Sequence, residues 1–173
     1  MKYGDIQLRA VEPEDLELLY KWENNIEFWV ISNTITPFSR FTLKRYIENS
    51  HKTIYETGQL RLMISLLESG ETVGAVDLFD FDPFHRRAGV GILIASPEHR
   101  RKGYATMAMT ALIDYCFSVL QLHQIYCNIP ATNNASFDLF KSLGFKLVGK
   151  KRDWVSHGDE YLDEYMLQLI QNL

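Results

Sequence analysis

A chain of 173 residues, 46% hydrophobic and 23% charged, has the balance of a globular protein and is long enough to bury one core, which sets aside a disordered chain and a second full domain. A formal net charge of −4 argues against a dedicated nucleic-acid binder, and no apolar run reaches the ~18–20 residues of a membrane-spanning helix. Met1 to Asp5 lacks the apolar stretch of a signal peptide, and Cys116 and Cys127 have neither metal nor redox spacing, so the expectation is one cytoplasmic domain over residues 1–173 with no metal, membrane or nucleic-acid partner.

Ile6 to Val11 reads as a strand. Pro13 at a first helical position, with Glu12, Glu14 and Asp15 around it, starts a helix in agreement with the dipole, and Leu16, Leu19 and Trp22 give that helix an apolar face. Ile26 to Pro37 reads as irregular and aromatic-rich, and a helix over Thr42 to Ser50 follows, with Leu43, Tyr46 and Ile47 on one side. Leu60 to Leu67 and Thr72 to Asp82 read as strands whose link, Glu68 to Glu71, is short enough to require antiparallel pairing. A strand at 89–95, a helix at 103–118, a strand at 124–129 and a helix at 134–143 then alternate. Lys146 to Ser156 and Tyr161 to Ile170 close the chain as a hairpin about His157-Gly158-Asp159. The order predicts an α/β domain with a mixed, mostly antiparallel sheet flanked by helices.

Between the strand at 89–95 and the helix that follows lies Ser96 to Thr106, with three consecutive cations, Arg100, Arg101 and Lys102, just before the helix start. Cations there oppose the helix dipole and cost ~0.3–1 kcal/mol each, so their presence makes sense if an anion sits among them. Gly103, having no side chain, lets a phosphate reach the free N–H groups of the first turn. Gly89-x-Gly91 lacks the third glycine of a dinucleotide fingerprint, and no nucleotide P-loop sequence occurs.

Arg100-x-x-Gly103-x-Ala105 also resembles the pyrophosphate loop of the GNAT acetyltransferase superfamily. Other segments resemble the family in its own order: Leu8-Arg9 with Glu14-Asp15-Leu16 and Trp22-x-Asn24-Asn25, then Val73-Gly74 and His85 to Ala88. Asn133-x-x-Ser136-x-x-x-Phe140-x-x-Leu143-Gly144-Phe145 resembles its late helix. Within the family the resemblance is to bacterial spermidine acetyltransferases and to enzymes that acetylate ribosomal-protein N-termini.

The resemblance implies a sheet whose central strands splay apart, acetyl-CoA as acyl donor, and transfer of acetyl to a primary amine of a small molecule or a protein N-terminus. A non-catalytic CoA-binding sensor on the same fold is the alternative, and a homo-oligomer is left open. Cofactor contacts are expected from Ile92, Leu93 and Ile94 on the strand, from His99, Arg100, Arg101, Lys102, Gly103, Tyr104, Ala105 and Thr106 in the loop and helix start, and from Asn133, Ser136 and Phe140 late in the chain. Phe140 stands where the family commonly has a tyrosine that protonates the leaving thiolate, and a phenyl ring has no O–H, so Tyr126, Cys127, Ser136 and Tyr165 become the substitute donors. The glutamate common near the start of the fourth strand is also missing from Ala88-Gly89-Val90-Gly91. Asp77 and His85 are then the expected catalytic groups, Asp77 because it aligns with an acidic position of the spermidine enzymes and His85 because its pKa range suits proton transfer. Strict alternation sets Asp77 opposite Asp80 and Asp82. Glu27, Trp29 and Asp77 are expected to meet the acceptor, yet Trp29 to Arg40 contains no carboxylate, and Phe28, Trp29, Phe38 and Phe41 point to an amine less charged than a polyamine.

Overall fold

Apolar alternation along the strand segments resolves into one continuous sheet. In the computed structural model, which describes residues 1–32 and 34–171, eight strands lie in the order β1-β2-β3-β4-β5-β6-β8-β7. They are β1 (Lys2–Tyr3), β2 (Ile6–Arg9), β3 (Leu60–Leu66), β4 (Thr72–Asp82), β5 (Arg87–Ile94), β6 (Gln124–Pro130), β7 (Lys146–His157) and β8 (Glu160–Ile170). Every neighbouring pair is antiparallel except β5 with β6. The mixed, mostly antiparallel α/β sheet is the one expected.

Helices α1 (Leu16–Glu23) and α3 (Arg40–Glu48) cover one face, where Leu19, Trp22, Leu43 and Ile47 pack on Met63 and Ala75. On the other face α5 (Tyr104–Asp114) and α6 (Asn134–Ser142) bring Met109, Leu112 and Phe140 against Ile64, Val76, Val90 and Ile125. Residues of opposite faces alternate along β3, which is why Met63 and Ile64 sit in different clusters.

Four local features depart from the sequence expectation. Residues 26–37 are not irregular throughout: α2 spans Ile26–Ser32, begun by the Phe28 N–H donating to the Asn25 carbonyl, and its β-branched and aromatic composition conceals the helical period. A single-turn helix, α4 (Ile54–Thr57), is held by reciprocal bonds between Thr53 and Glu56 and ends at Gly58 with φ +70°. The long helix after Gly103 becomes a π turn over Tyr115–Val119. Finally, a bulge between Phe79 and Asp82, with Asp80 at φ +49°, slips the strand phase so that Phe81 joins the same cluster as Val76 and Leu78. Asp80 and Asp82 are therefore not set opposite Asp77 by simple alternation.

β2 ends at Arg9, whose side chain turns to Asp15. Asp15 is 5% exposed and accepts from Arg9 Nη1 and Nη2, both at 2.7 Å, and from the Glu12 N–H at 2.8 Å. Arg9 also reaches Ser65 and Thr72 on β3 and β4, so one ion pair ties the start of α1 to three strands. Burial pushes the Asp15 carboxyl up, but the bonds from Arg9 and Glu12 outweigh it and leave the group below its ordinary range. A carboxyl depressed in the folded state stabilises above its unfolded pKa and loses that contribution as pH falls through the folded value. Asp15→Ala is expected to cost about 3 kcal/mol in urea unfolding at neutral pH, with the gap to the native protein closing as pH drops through the acid range. A gap independent of pH would contradict the assignment.

Candidate active site

Strands β5 and β6 pair over three positions, Arg87↔Gln124, Ala88↔Ile125 and Gly89↔Tyr126, and then part. The Phe79 ring fills the fork: a Cβ on Gly89 would lie 2.2 Å from it, and the same ring meets Tyr126 edge-on with centroids 6.1 Å apart. Beyond the fork β5 stays bonded to β4 as far as Gly74↔Ile94, and β6 stays bonded to β8 as far as Pro130↔Glu164. Val90 to Leu93 and Cys127 to Ile129 consequently face each other with no strand partner on the inner edge among the described residues. Between them opens a cavity of ≈ 590 Å³, within the range of small-molecule sites.

This cleft is lined from both faces of the sheet. Asn133, Ser136 and Phe140 border it on the α6 side, and Trp22, Glu23, Phe28, Ile31, Phe38, Leu43 and Tyr46 border it on the α1–α2–α3 side. Phe140 is 3% exposed and packs edge-on against Phe145 at 5.0 Å. Asn133 caps α6, its Oδ1 accepting from the Ser136 N–H at 3.1 Å. Of the substitute proton donors, Cys127 and Ser136 line the cleft, whereas Tyr126 and Tyr165 do not. Burial pushes the Cys127 thiol up to about 12. Tyr126 donates to Asp80 at 3.1 Å, and burial together with that bond pushes its phenol up to about 12.

Charge enters the cleft as a three-residue network. Arg61 on β3 stands in register with Asp77 on β4 and donates to it through Nε at 2.7 Å and Nη2 at 3.1 Å, while Nη1 donates to the Glu23 carboxylate at the end of α1. Burial would lower the guanidinium pKa, but Asp77 and Glu23 outweigh it and hold the group well above its ordinary range. Asp77 thus lines the cleft with both oxygens already accepting from Arg61. Sequence reasoning missed Arg61 and Glu23, although an arginine inside the apolar run Leu60-Arg61-Leu62-Met63 is a signal that something must neutralise it.

Three residues expected to act on or meet the acceptor lie outside the cleft. His85 is exposed on the turn before β5, where its backbone N–H donates to Asp82 Oδ1 at 2.9 Å and its Nδ1 lies 2.8 Å from Asp82 Oδ2. Glu27 and Trp29 stand outside it for a common reason: in a helix Phe28, Ile31 and Ser32 share the face toward the cleft, leaving Glu27 in solvent and Trp29 Nε1 donating to the Glu23 carbonyl at 2.8 Å. Ile92 and Leu93 line the cleft, whereas Ile94 and the segment from His99 to Thr106 continue past its end.

That segment has the backbone of an anion cradle. Arg101 has φ +59° and Gly103 φ +82°, and the first helical bond runs from the Met107 N–H to the Gly103 carbonyl. The N–H groups of Tyr104, Ala105 and Thr106 are left outside the helical ladder. Arg100 does not face the cradle with its whole fork, since Nε donates to the Ile94 carbonyl at 3.2 Å. His99 Nδ1 is buried without a hydrogen-bond partner among the described residues. An unpaired strand edge, a cleft through the sheet and free helix-start amides together fit acetyl-CoA.

Residues 5–146 match the family described as Acetyltransferase (GNAT) domain. Spermidine N(1)-acetyltransferase of Escherichia coli (strain K12) is 30% identical over 148 residues, which cover 84% of this chain and 75% of that protein. Among solved structures, spermidine N-acetyltransferase from Vibrio cholerae in complex with CoA and spermine superposes with a TM-score of 0.87 at 26% identity, covering 96% of each chain. A dodecameric structure of the V. cholerae enzyme in an intermediate state superposes at 0.78, with 26% identity and coverage of 96% and 94%.

Proposed function

Because this chain belongs to the GNAT acetyltransferase family, and so moves the acetyl group of acetyl-CoA to a primary amine, we propose that the acceptor is a small amine entering from the α1–α2–α3 side and meeting the thioester where β5 and β6 part. The observation that carries this reading is a single cleft lined from both faces of the sheet at the fork. The spermidine acetylated by the relatives makes a small amine the acceptor class, and the roof that α2 and α3 form over the acceptor side favours a small molecule over a protein N-terminus. Self-association belongs to the same reading, since Leu147, Val148 and Trp154 are exposed on the outermost strand and one relative is a dodecamer. A cytosolic setting suits the two buried free cysteines.

In the reaction the ammonium loses one proton to water, its nitrogen attacks the thioester carbonyl, the carbon–sulfur bond breaks, and the thiolate leaves with the electron pair and is protonated as the nitrogen sheds its second proton to become the amide. Asp77 attracts and orients the ammonium, with Glu23 beside it. Holding amine and thioester together supplies ~7–11 kcal/mol of the barrier, whereas a general acid adds only about 10²–10⁴-fold. With phenylalanine at 140, Cys127 and Ser136 are the donors within the cleft, and the Cys127 thiol stays protonated at neutral pH. The missing tyrosine makes thiolate departure the slow step.

Release of free thiol from acetyl-CoA, paired with the mass of the acetylated amine over an amine panel, tests turnover; binding of acetyl-CoA without release would assign the sensor reading instead. Gly103→Glu puts a side chain at φ +82° and a carboxylate among the cradle amides, and acetyl-CoA affinity by calorimetry should fall at least about tenfold. Unchanged affinity would place the phosphates elsewhere. Phe140→Tyr should raise the rate with the best amine about tenfold or more. An unchanged rate in a folded variant that still binds acetyl-CoA would show that protonation from this position is not limiting.

A further inference from the structure

We infer that the acceptor is a monoamine with an apolar body, and that Arg61 is the residue that keeps diamines and polyamines out. The inference rests on the reading that this cleft acetylates a primary amine.

Among the described residues, the carboxylates lining the cleft are Glu23 and Asp77, and its one cationic side chain is Arg61, which is bonded to both. Two negative charges and one positive leave a net charge of −1 at the acceptor end, enough to compensate a single ammonium. A second ammonium on the same molecule would have to sit along Phe28, Ile31, Phe38 and Leu43, where the polar neighbours Ser32, Thr42, Tyr46 and Gln59 are all neutral and no further carboxylate lines the wall. Removing an ammonium from water without a partner is unfavourable, whereas methylene groups gain on the same wall. Charge and surface therefore select in the same direction: one cationic nitrogen beside Asp77, carbon beyond it.

Arg61 acts through the two carboxylates rather than on the amine, so its role is positioning and charge balance. Without it, Glu23 and Asp77 would present two uncompensated charges, and the cleft would match a dication better than a monocation. Ile31, which is 49% exposed on α2, offers an independent route to the same change, because a carboxylate can be placed there without opening the core.

The test compares hexylamine with hexamethylenediamine, which share a carbon chain and differ in the second ammonium, with spermidine as a third acceptor. The native enzyme should show kcat/KM for hexylamine at least about tenfold above that for the diamine. Arg61→Gln and, separately, Ile31→Glu should each shift the ratio of the two toward the diamine by about tenfold, a change that damage to the fold, lowering both activities alike, would not produce. Faster turnover of the diamine or spermidine by the native enzyme would overturn the inference while leaving amine acetylation standing. No turnover of any of the three would overturn both. Equal loss with both amines in a folded Arg61→Gln, with no shift in Ile31→Glu, would remove Arg61 from the account of specificity.

Discussion

Two strands that share a sheet yet separate after three residue pairs impose the constraint on which this protein's chemistry depends. Backbone N–H and C=O groups inside a protein are almost always paired, and an open inner edge is costly unless something else bonds it. β5 and β6 tolerate the separation because each is held along its outer edge, β5 by β4 and β6 by β8. The Phe79 ring over Gly89 fills the fork itself. The edges left between Val90 and Leu93 are then a ready template for the amide-rich arm of acetyl-CoA, and the cradle before α5 lies just past the end of the same strand.

Around this fork the charged groups are arranged in closed sets. Arg9 with Asp15 fastens α1 to β2, β3 and β4, and Arg61 with Glu23 and Asp77 fastens the other end of α1 to the acceptor side of the cleft. In both sets a guanidinium answers the carboxylates, buried at Asp15 and half-buried at Glu23 and Asp77, so α1 is pinned at its two ends while its apolar face packs on Met63 and Ala75. The consequence for function is a catalytic cleft of low net charge with aromatic walls.

Elements whose signal is local were legible in the sequence. The strands β3 and β4, the helix α6, and Gly103 between a strand and an apolar helix each carry their cause within a few residues. Features set by distant partners were not. Arg61 gains its meaning from Asp77 across a strand pair and from Glu23 on a helix far earlier in the chain, and neither spacing forms a motif. Asp80 breaks the period of β4 through one left-handed residue, which no composition rule at that position announces. α2 hid because its β-branched and aromatic residues suit a strand as well as a helix, and its folding as a helix is what moved Glu27 and Trp29 out of the cleft and Ile31 into it.

The claim at the centre of this account is that acetyl-CoA completes the open edge of β5. Amide hydrogen exchange with and without acetyl-CoA reads that edge directly. The account predicts slowed exchange within Val90 to Leu93 and at Tyr104 to Thr106, with the outer hairpin of β7 and β8 unchanged. Exchange at the β5 edge that stays the same under saturating acetyl-CoA, or protection confined to other strands, would contradict it.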